Sequence, residues 1–289
     1  MKIKYSDNRT VFNINEETSR GIPYVSFRML DDIGIPHLYT SRYQNYNLKT
    51  GTGEQGLRTM AMKHENKEEV WPGAIKNLSI LAGQLGTDAE HLVLTRQLHT
   101  AIVKSVDEKD LGVDKERFAD DAVDGLVTNV PGACLVAYGA DCPSVYLVDP
   151  CHHAIGLVHA GWKGTFGRIP DVAIKMMEEK YGSRPQDMYA AIGPSICESR
   201  YEMGDEIYDK LASEWSRADA DALMKRHESG KYHLDLWKAN RMTLERAGIP
   251  AEHIAITNIC TCCNADTFYS YRAGRMENEQ VAMLVNRIG

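Results

Sequence analysis

Three side chains stand where apolar, strand-like runs give way to loops. His99 ends "LVLTRQLH", Cys142 follows "VAYGAD" just before a proline, and His159 ends "IGLVH" before "AGWKG". Rigid backbone meets an open face at such junctions, and functional side chains concentrate there. Two imidazoles and a thiolate make a His2Cys donor set. With water or substrate as fourth ligand, this is the composition of an open tetrahedral zinc site, in which the ion keeps the thiolate deprotonated and acidifies its water. The same atoms support a second chemistry, with Cys142 as nucleophile, His159 or His99 as its base and Asp141 orienting that base. Neighbours in an extended strand point to opposite faces, so Asp141 reaches that role only if the chain bends at Cys142–Pro143. Spacing leaves both chemistries open.

Other cysteines and histidines invite simpler readings. Cys151, His152 and His153 follow Asp149–Pro150 in what reads as a turn between two strands, and are expected to be bystanders. "CTCC" at 260–263 lacks the second C-x-x-C of a zinc ribbon. A free cysteine usually behaves as a small buried apolar group, so Cys260, Cys262 and Cys263 are expected to be mainly structural.

The elements that must position the three residues are short. Apolar runs at 91–99, 100–106, 125–129, 133–139, 144–149, 154–160 and 253–259 are broken by Gly, Pro and Asp and read as strands. Helices are expected over 169–182, with Val172, Met176 and Met177 on one stripe, over 203–215, and over 233–249, with Gly182 and Gly248 as C-terminal stops. The polar stretch 49–69 reads as a loop leading into a helix, and 107–124 as a surface excursion. Mixed strands and helices without a linker or repeat imply one layered α/β or α+β domain. Strand order is not legible.

The chain has 289 residues, 43% of them hydrophobic and 25% charged, enough apolar mass for a large core. A net charge of -7 argues against nucleic-acid or membrane-surface partners, which need a basic face, but permits a small anionic substrate. The N-terminus lacks the apolar region of a signal peptide, and no apolar run is long enough to span a bilayer. The seven cysteines are therefore expected to be reduced thiols.

The ordered blocks "RQLH", "GADCPSVYLVDP", "GLVHAGWKGT", "AAIGPSICESRYEMGDEI", "HLDLWKANRMTLERAGI" and "ICTCCNADTFYSYR" resemble those of the YfiH/YlmD-like family. That family is long labelled polyphenol oxidase or laccase-domain protein and is also described as purine nucleoside phosphorylases with adenosine deaminase activity. The resemblance runs from about Thr40 to the C-terminus. It implies a single catalytic domain over 1–289 of layered α/β/β/α type with mixed sheets. It implies a zinc ion held by His99, Cys142 and His159, a cytoplasmic location, and adenosine, inosine and methylthioadenosine as substrates. The partners are then a small-molecule nucleoside and phosphate. Arg42, Asn47, Lys163 and Arg272 are the candidate substrate-binding residues; the oligomeric state is not indicated.

Two departures from the family pattern bear on phosphate. Where the family has Asn-Arg before the "QLH" strand, this chain has Asn77–Leu78, and Lys76, on another face of a helix, is a poor substitute. Where the family has a second arginine, Ala273 follows Arg272, leaving Arg275 as a shifted substitute. Three alternatives to the nucleoside reading stand beside it. One is a copper-dependent polyphenol oxidase, since His and Cys also suit copper. Another is hydrolytic editing of a peptidoglycan precursor. The third is a non-catalytic metal staple closed by Asp141 or Cys151.

Overall fold

The structure, a computed structural model, describes residues 3, 10–16, 23–42, 67–113, 122–274 and 279–287. Its strands in the first half are β1 (Phe12–Asn15), β2 (Tyr24–Phe27), β3 (His37–Thr40), β4 (Leu92–Val93), β5 (Val103–Ser105), β6 (Gly125–Thr128) and β7 (Cys134–Gly139). There follow β8 (Ser144–Asp149), β9 (Ala154–His159), β10 (Tyr189–Ile192), β11 (Glu202–Met203), β12 (Met224–Arg226), β13 (Tyr232–Leu234), β14 (Ile254–Ile256) and β15 (Gln280–Val285). The helices are α1 (Arg28–Asp32), α2 (Lys67–Gln84), α3 (Trp162–Phe166), α4 (Ile169–Tyr181), α5 (Asp205–Glu214), α6 (Arg217–Leu223) and α7 (Leu236–Arg246).

Two six-stranded mixed sheets, ordered β1-β2-β3-β15-β7-β4 and β14-β10-β8-β9-β6-β5, pack face to face. Phe27, Tyr39, Leu135 and Ala137 of the first sheet meet Leu126, Tyr146, Val148, Ile155 and Leu157 of the second. Alternate residues of the same strands serve the outer layers. Cys134, Val136 and Tyr138 of β7 pack under Leu78 and Leu81 of α2 and Leu85 just beyond it. Val145 and Leu147 of β8 pack under Ile169, Ala173, Ile174 and Met177 of α4 and Leu244 of α7. Each central strand is buried on both faces, which is why its sequence is a continuous apolar run without alternation. This is the α/β/β/α layering that the family resemblance implies. A small three-stranded sheet, β11-β13-β12, joins α5 and α6 over a separate cluster that includes Phe166, Leu211, Leu223 and Leu236.

Several expected elements shift. The run 91–99 is strand only at Leu92–Val93. Beyond it, the Gln97 side-chain amide takes the place of a paired strand, donating to the Tyr138 carbonyl at 2.8 Å and accepting from the Tyr138 N–H at 2.8 Å. The run 100–106 is likewise strand only at Val103–Ser105. The buried stripe of α4 is Ile169, Ala173, Ile174 and Met177, with Val172 and Met176 flanking it, and Gly182 caps the helix at φ 74°. The expected helix over 233–249 begins as strand β13; the Asp235 carboxylate then caps α7 by accepting from the Lys238 N–H. The excursion 107–124 ends in a buried residue, Asp124. Strands β1, β2, β3 and β15 were not anticipated. Most of 49–69 lies outside the described residues.

Leu78, at the position where an anion-binding arginine was looked for, is fully buried between α2 and the first sheet, and Asn77 beside it is buried too. The position carries packing. Replacing Leu78 with Ala is expected to lower unfolding stability by about 2–5 kcal/mol, the cost of a cavity in a close-packed layer. An unfolding free energy from urea denaturation changed by less than about 0.5 kcal/mol would show that α2 does not depend on it.

Candidate metal centre

Sheet register assembles the site. In the β8–β9 hairpin, Ser144 pairs with His159, so Cys142, two residues before β8 begins, lies beside the end of β9. Strand β6 pairs with β9 through Gly125 and Val158, which sets Asp124 against His159; the His159 N–H donates to the Asp124 carbonyl at 2.7 Å. Strand β5 runs parallel to β6 and draws the segment carrying His99 to the same end. Ligand atoms of His99, Cys142 and His159 consequently lie within 4.8 Å of one another. The two imidazole rings are 4.9 Å apart at 79°.

Asp124 holds the arrangement. Its carboxylate accepts from the backbone N–H groups of Leu98, His99 and Thr100 at 3.1, 3.0 and 2.8 Å, and from the Thr100 hydroxyl at 2.8 Å. Three consecutive amides pointing at one anion form a nest, and the nest carries the left-handed backbone of His99, φ 61°. Nδ1 of His159 lies 2.8 Å from the same carboxylate. With the proton on Nδ1, Nε2 is left free to ligate, and the ring orientation is fixed. Burial opposes the charge of Asp124, but the bonds from His159 and Thr100 outweigh it and hold the carboxyl below its usual range. This is the orienting carboxylate that sequence reasoning sought in Asp141. Asp141 is engaged elsewhere. One oxygen accepts from the Thr261 hydroxyl at 2.6 Å and the other from the Arg272 N–H at 2.7 Å, while its carbonyl accepts from the Ile196 N–H at 2.9 Å. The bend falls at Asp141 itself, φ 90°. The only sequence signal for Asp124 was its place directly before a strand.

The donor set fits a metal ion. Two imidazole nitrogens and a thiolate suit zinc and copper alike. The space between them is kept clear by Gly161: a Cβ there would lie 2.9 Å from His99 Cδ2 and 3.0 Å from the Cys142 sulfur. Among the described residues no fourth His, Cys, Asp or Glu joins the group, and His99 is exposed, so the remaining coordination position faces solvent. Cys151, His152 and His153 sit at the far end of the β8–β9 hairpin, about 20 Å along six-residue strands. A closed staple using Asp141 or Cys151 is thereby ruled out.

Loss of solvent raises the Cys142 thiol, but the charge of His159 and the bonds to both imidazoles outweigh it and bring it down to about 7. Burial lowers His159, and the Cys142 thiolate with Asp124 pushes it up to about 10. Without metal, thiolate and imidazolium are therefore the favoured forms between about pH 7 and 10.

The remaining expected residues are dispersed. The Arg272 backbone N–H reaches Asp141, next to Cys142. Its guanidinium donates to the carbonyls of Arg200 and Glu202 at 3.1 Å each and lies over Tyr201. Burial and then the Cys142 thiolate raise the Tyr201 phenol. Lys163 is exposed on α3, its ammonium 5.6 Å from the Trp162 ring centroid. Arg42 is tied to another segment, donating to the Ala265 carbonyl at 3.0 Å. Asn47 and Arg275 lie outside the described residues. A second group, Cys197 with Cys260 and Cys263, also brings its ligand atoms within 4.8 Å; sequence reasoning saw "CTCC" but not the third sulfur, which is remote in sequence.

The family described as multi-copper polyphenol oxidoreductase laccase matches residues 59–286. The chain belongs to that family. Adenosine deaminase RL5 from an unknown prokaryotic organism is 37% identical over 194 residues, 66% of this chain and 73% of that protein. Purine nucleoside phosphorylase YlmD of Bacillus subtilis strain 168 is 33% identical over 220 residues, 75% of this chain and 77% of that one. The crystal structure of YlmD from Geobacillus stearothermophilus superposes with a TM-score of 0.76 at 28% identity, covering 96% of this chain and 99% of that chain. No helix among the described residues is long and apolar enough to cross a membrane.

Metal binding must take the thiolate and displace the His159 proton. Between about pH 7 and 10 this means about one proton released per ion, so affinity rises with pH across that window. Calorimetry in buffers of different ionisation heat measures the number, and zero protons at pH 8 would contradict the pairing. Asp124→Asn is expected to weaken metal affinity about 10–100-fold. Unchanged affinity in a folded Asp124→Asn protein would remove the carboxylate from the site.

Proposed function

We propose that this chain is a zinc-dependent purine nucleoside enzyme that carries out phosphorolysis, deamination or both on adenosine, inosine and methylthioadenosine in the cytoplasm. The observation that carries the reading is the convergence of His99, Cys142 and His159 with one side open to solvent. Zinc held by these three side chains supplies a Lewis acid for the incoming nucleophile or the departing group. The names of the relatives support a nucleoside as substrate.

The chain's own residues contribute the rest. Asp124 keeps His159 in one tautomer and one orientation, so no reorganisation is needed when substrate arrives. Two of the five guanidinium N–H groups of Arg272 are anchored on carbonyls, and the exposed remainder can grip an anion such as phosphate. Leu98 beside His99 and Tyr271 beside Arg272 are exposed large apolar side chains, suited to the face of a purine. With only two imidazoles at the centre, the donor set does not provide for the several coppers of a laccase, and the oxidase reading is set aside.

Product analysis with adenosine and inosine, with and without phosphate, tests the reading beside a His99→Ala control. Free base and ribose 1-phosphate formed only with phosphate identify phosphorolysis. Ammonia without free base identifies deamination. No turnover of any nucleoside by the zinc-loaded protein would overturn the proposal. If phosphate is the nucleophile, Arg272→Ala is expected to raise its KM about tenfold or more, the loss of a charged hydrogen bond, with zinc content unchanged; an unaltered KM would exclude that contact.

A further inference from the structure

The Cys197, Cys260 and Cys263 group lies outside the centre described above and plays no part in it. Its sulfurs are brought together by two loops that pair as a parallel bridge at Ser195 and Cys260. Ser195 N–H donates to the Ile259 carbonyl at 3.1 Å, and Thr261 N–H to the Ser195 carbonyl at 3.0 Å. Cys260 and Cys263 are spaced C-x-x-C within the following turn. The Cys260 sulfur, buried, accepts from the backbone N–H groups of Cys197 and Cys263 at 3.3 Å each. Cys197 and Cys263 have their sulfurs 4.0 Å apart, and both are half-buried. The Arg200 guanidinium is close enough to the Cys263 sulfur for that thiol to raise it.

Three sulfurs whose atoms lie within 4.8 Å of one another are a donor set for one thiophilic cation. Sulfurs around a tetrahedral zinc at the usual Zn–S length are about 3.8 Å apart, close to the 4.0 Å between Cys197 and Cys263. A disulfide between those two would have to close the gap to about 2.05 Å and would leave the Cys260 sulfur outside the bond.

We propose that Cys197, Cys260 and Cys263 form a second metal site, a trithiolate centre for a thiophilic d10 ion such as Zn2+, separate from the His99, Cys142 and His159 centre. Binding releases the remaining thiol protons to solvent and forms three metal–sulfur bonds, with no change of oxidation state. The fourth position is left to water or to the Ser199 hydroxyl, 3.2 Å from the Cys197 sulfur. The site is a clasp on the first centre. Ile196 and Thr261, each next to a ligand, both bond to Asp141, whose chain neighbour is Cys142. Arg200, three residues beyond Cys197, offers its carbonyl to Arg272. An ion joining the two loops therefore fixes the residues that hold Asp141 and Arg272.

The test uses Cys142→Ala full-length protein, which has no thiolate left at the first centre. Reduced and metal-free, it is titrated anaerobically with Co2+. The expected result is sulfur-to-cobalt charge-transfer absorption that saturates at about one equivalent and is displaced by Zn2+. In Cys142→Ala/Cys263→Ser the band is expected to be lost. No charge-transfer band in Cys142→Ala overturns the site, whether or not the double variant folds. A band undiminished in the folded double variant also overturns it, because other thiols would then be the ligands. Thiol counting that finds Cys197 and Cys263 joined as a disulfide in freshly isolated protein, with no bound metal, does the same.

Discussion

Much of the candidate site depends on one buried carboxylate. Asp124 binds three successive amides of the loop that carries His99 and, through the same two oxygens, the imidazole of His159. Its charge is kept out of water, so each donor matters more than it would at the surface. Hydrogen bonds to an ionised group are worth about 1.5–3 kcal/mol each. That is enough to support the unfavourable left-handed backbone at His99. Because its folded pKa lies below the unfolded value, this contribution is present above the ordinary carboxylate pKa and is lost as pH falls through the depressed one.

The two-sheet core makes Asp124 available to both ligands. The register of β8 on β9 and of β6 on β9 brings Cys142, His159 and Asp124 to one end of the central strands of the second sheet. The Gln97 amide, locked onto Tyr138 of β7 in the first sheet, aims the following loop at the same end. Gly161 then leaves the space between the three ligand atoms unfilled. On the other side of Cys142, Asp141 ties in the loops that carry the second thiol group, so the two sulfur-bearing regions share a single buried carboxylate as their link.

Much of this is legible in the sequence. β7, β8 and β9 were readable because strands buried on both faces must be apolar throughout. The short strands β1 to β3 were not, because polar and charged residues surround them and only pairing with β15 and one another makes them strands. The buried stripe of α4 includes Met177 as expected but has Ala173 and Ile174 where Val172 and Met176 were expected, since amphipathic periodicity locates a face only to within a neighbouring residue. Leu78 looked like a missing arginine until its burial under α2 gave it a different task.

His99, Cys142 and His159 could be singled out from residue type and position, because strand ends and loop starts leave a mark in local sequence. Their partners leave no such mark. Asp124 looked like one more charge in a charged stretch, Asp141 looked like the better orienting group by adjacency, and Cys197 stood far from "CTCC". Local sequence thus determined which side chains are able to ligate and roughly where strands begin and end. Only the tertiary structure decided which carboxylate faces which imidazole and which sulfurs meet. Those contacts follow from strand register between segments distant in sequence, and a shift of one residue would have turned each of them to the other face of the sheet.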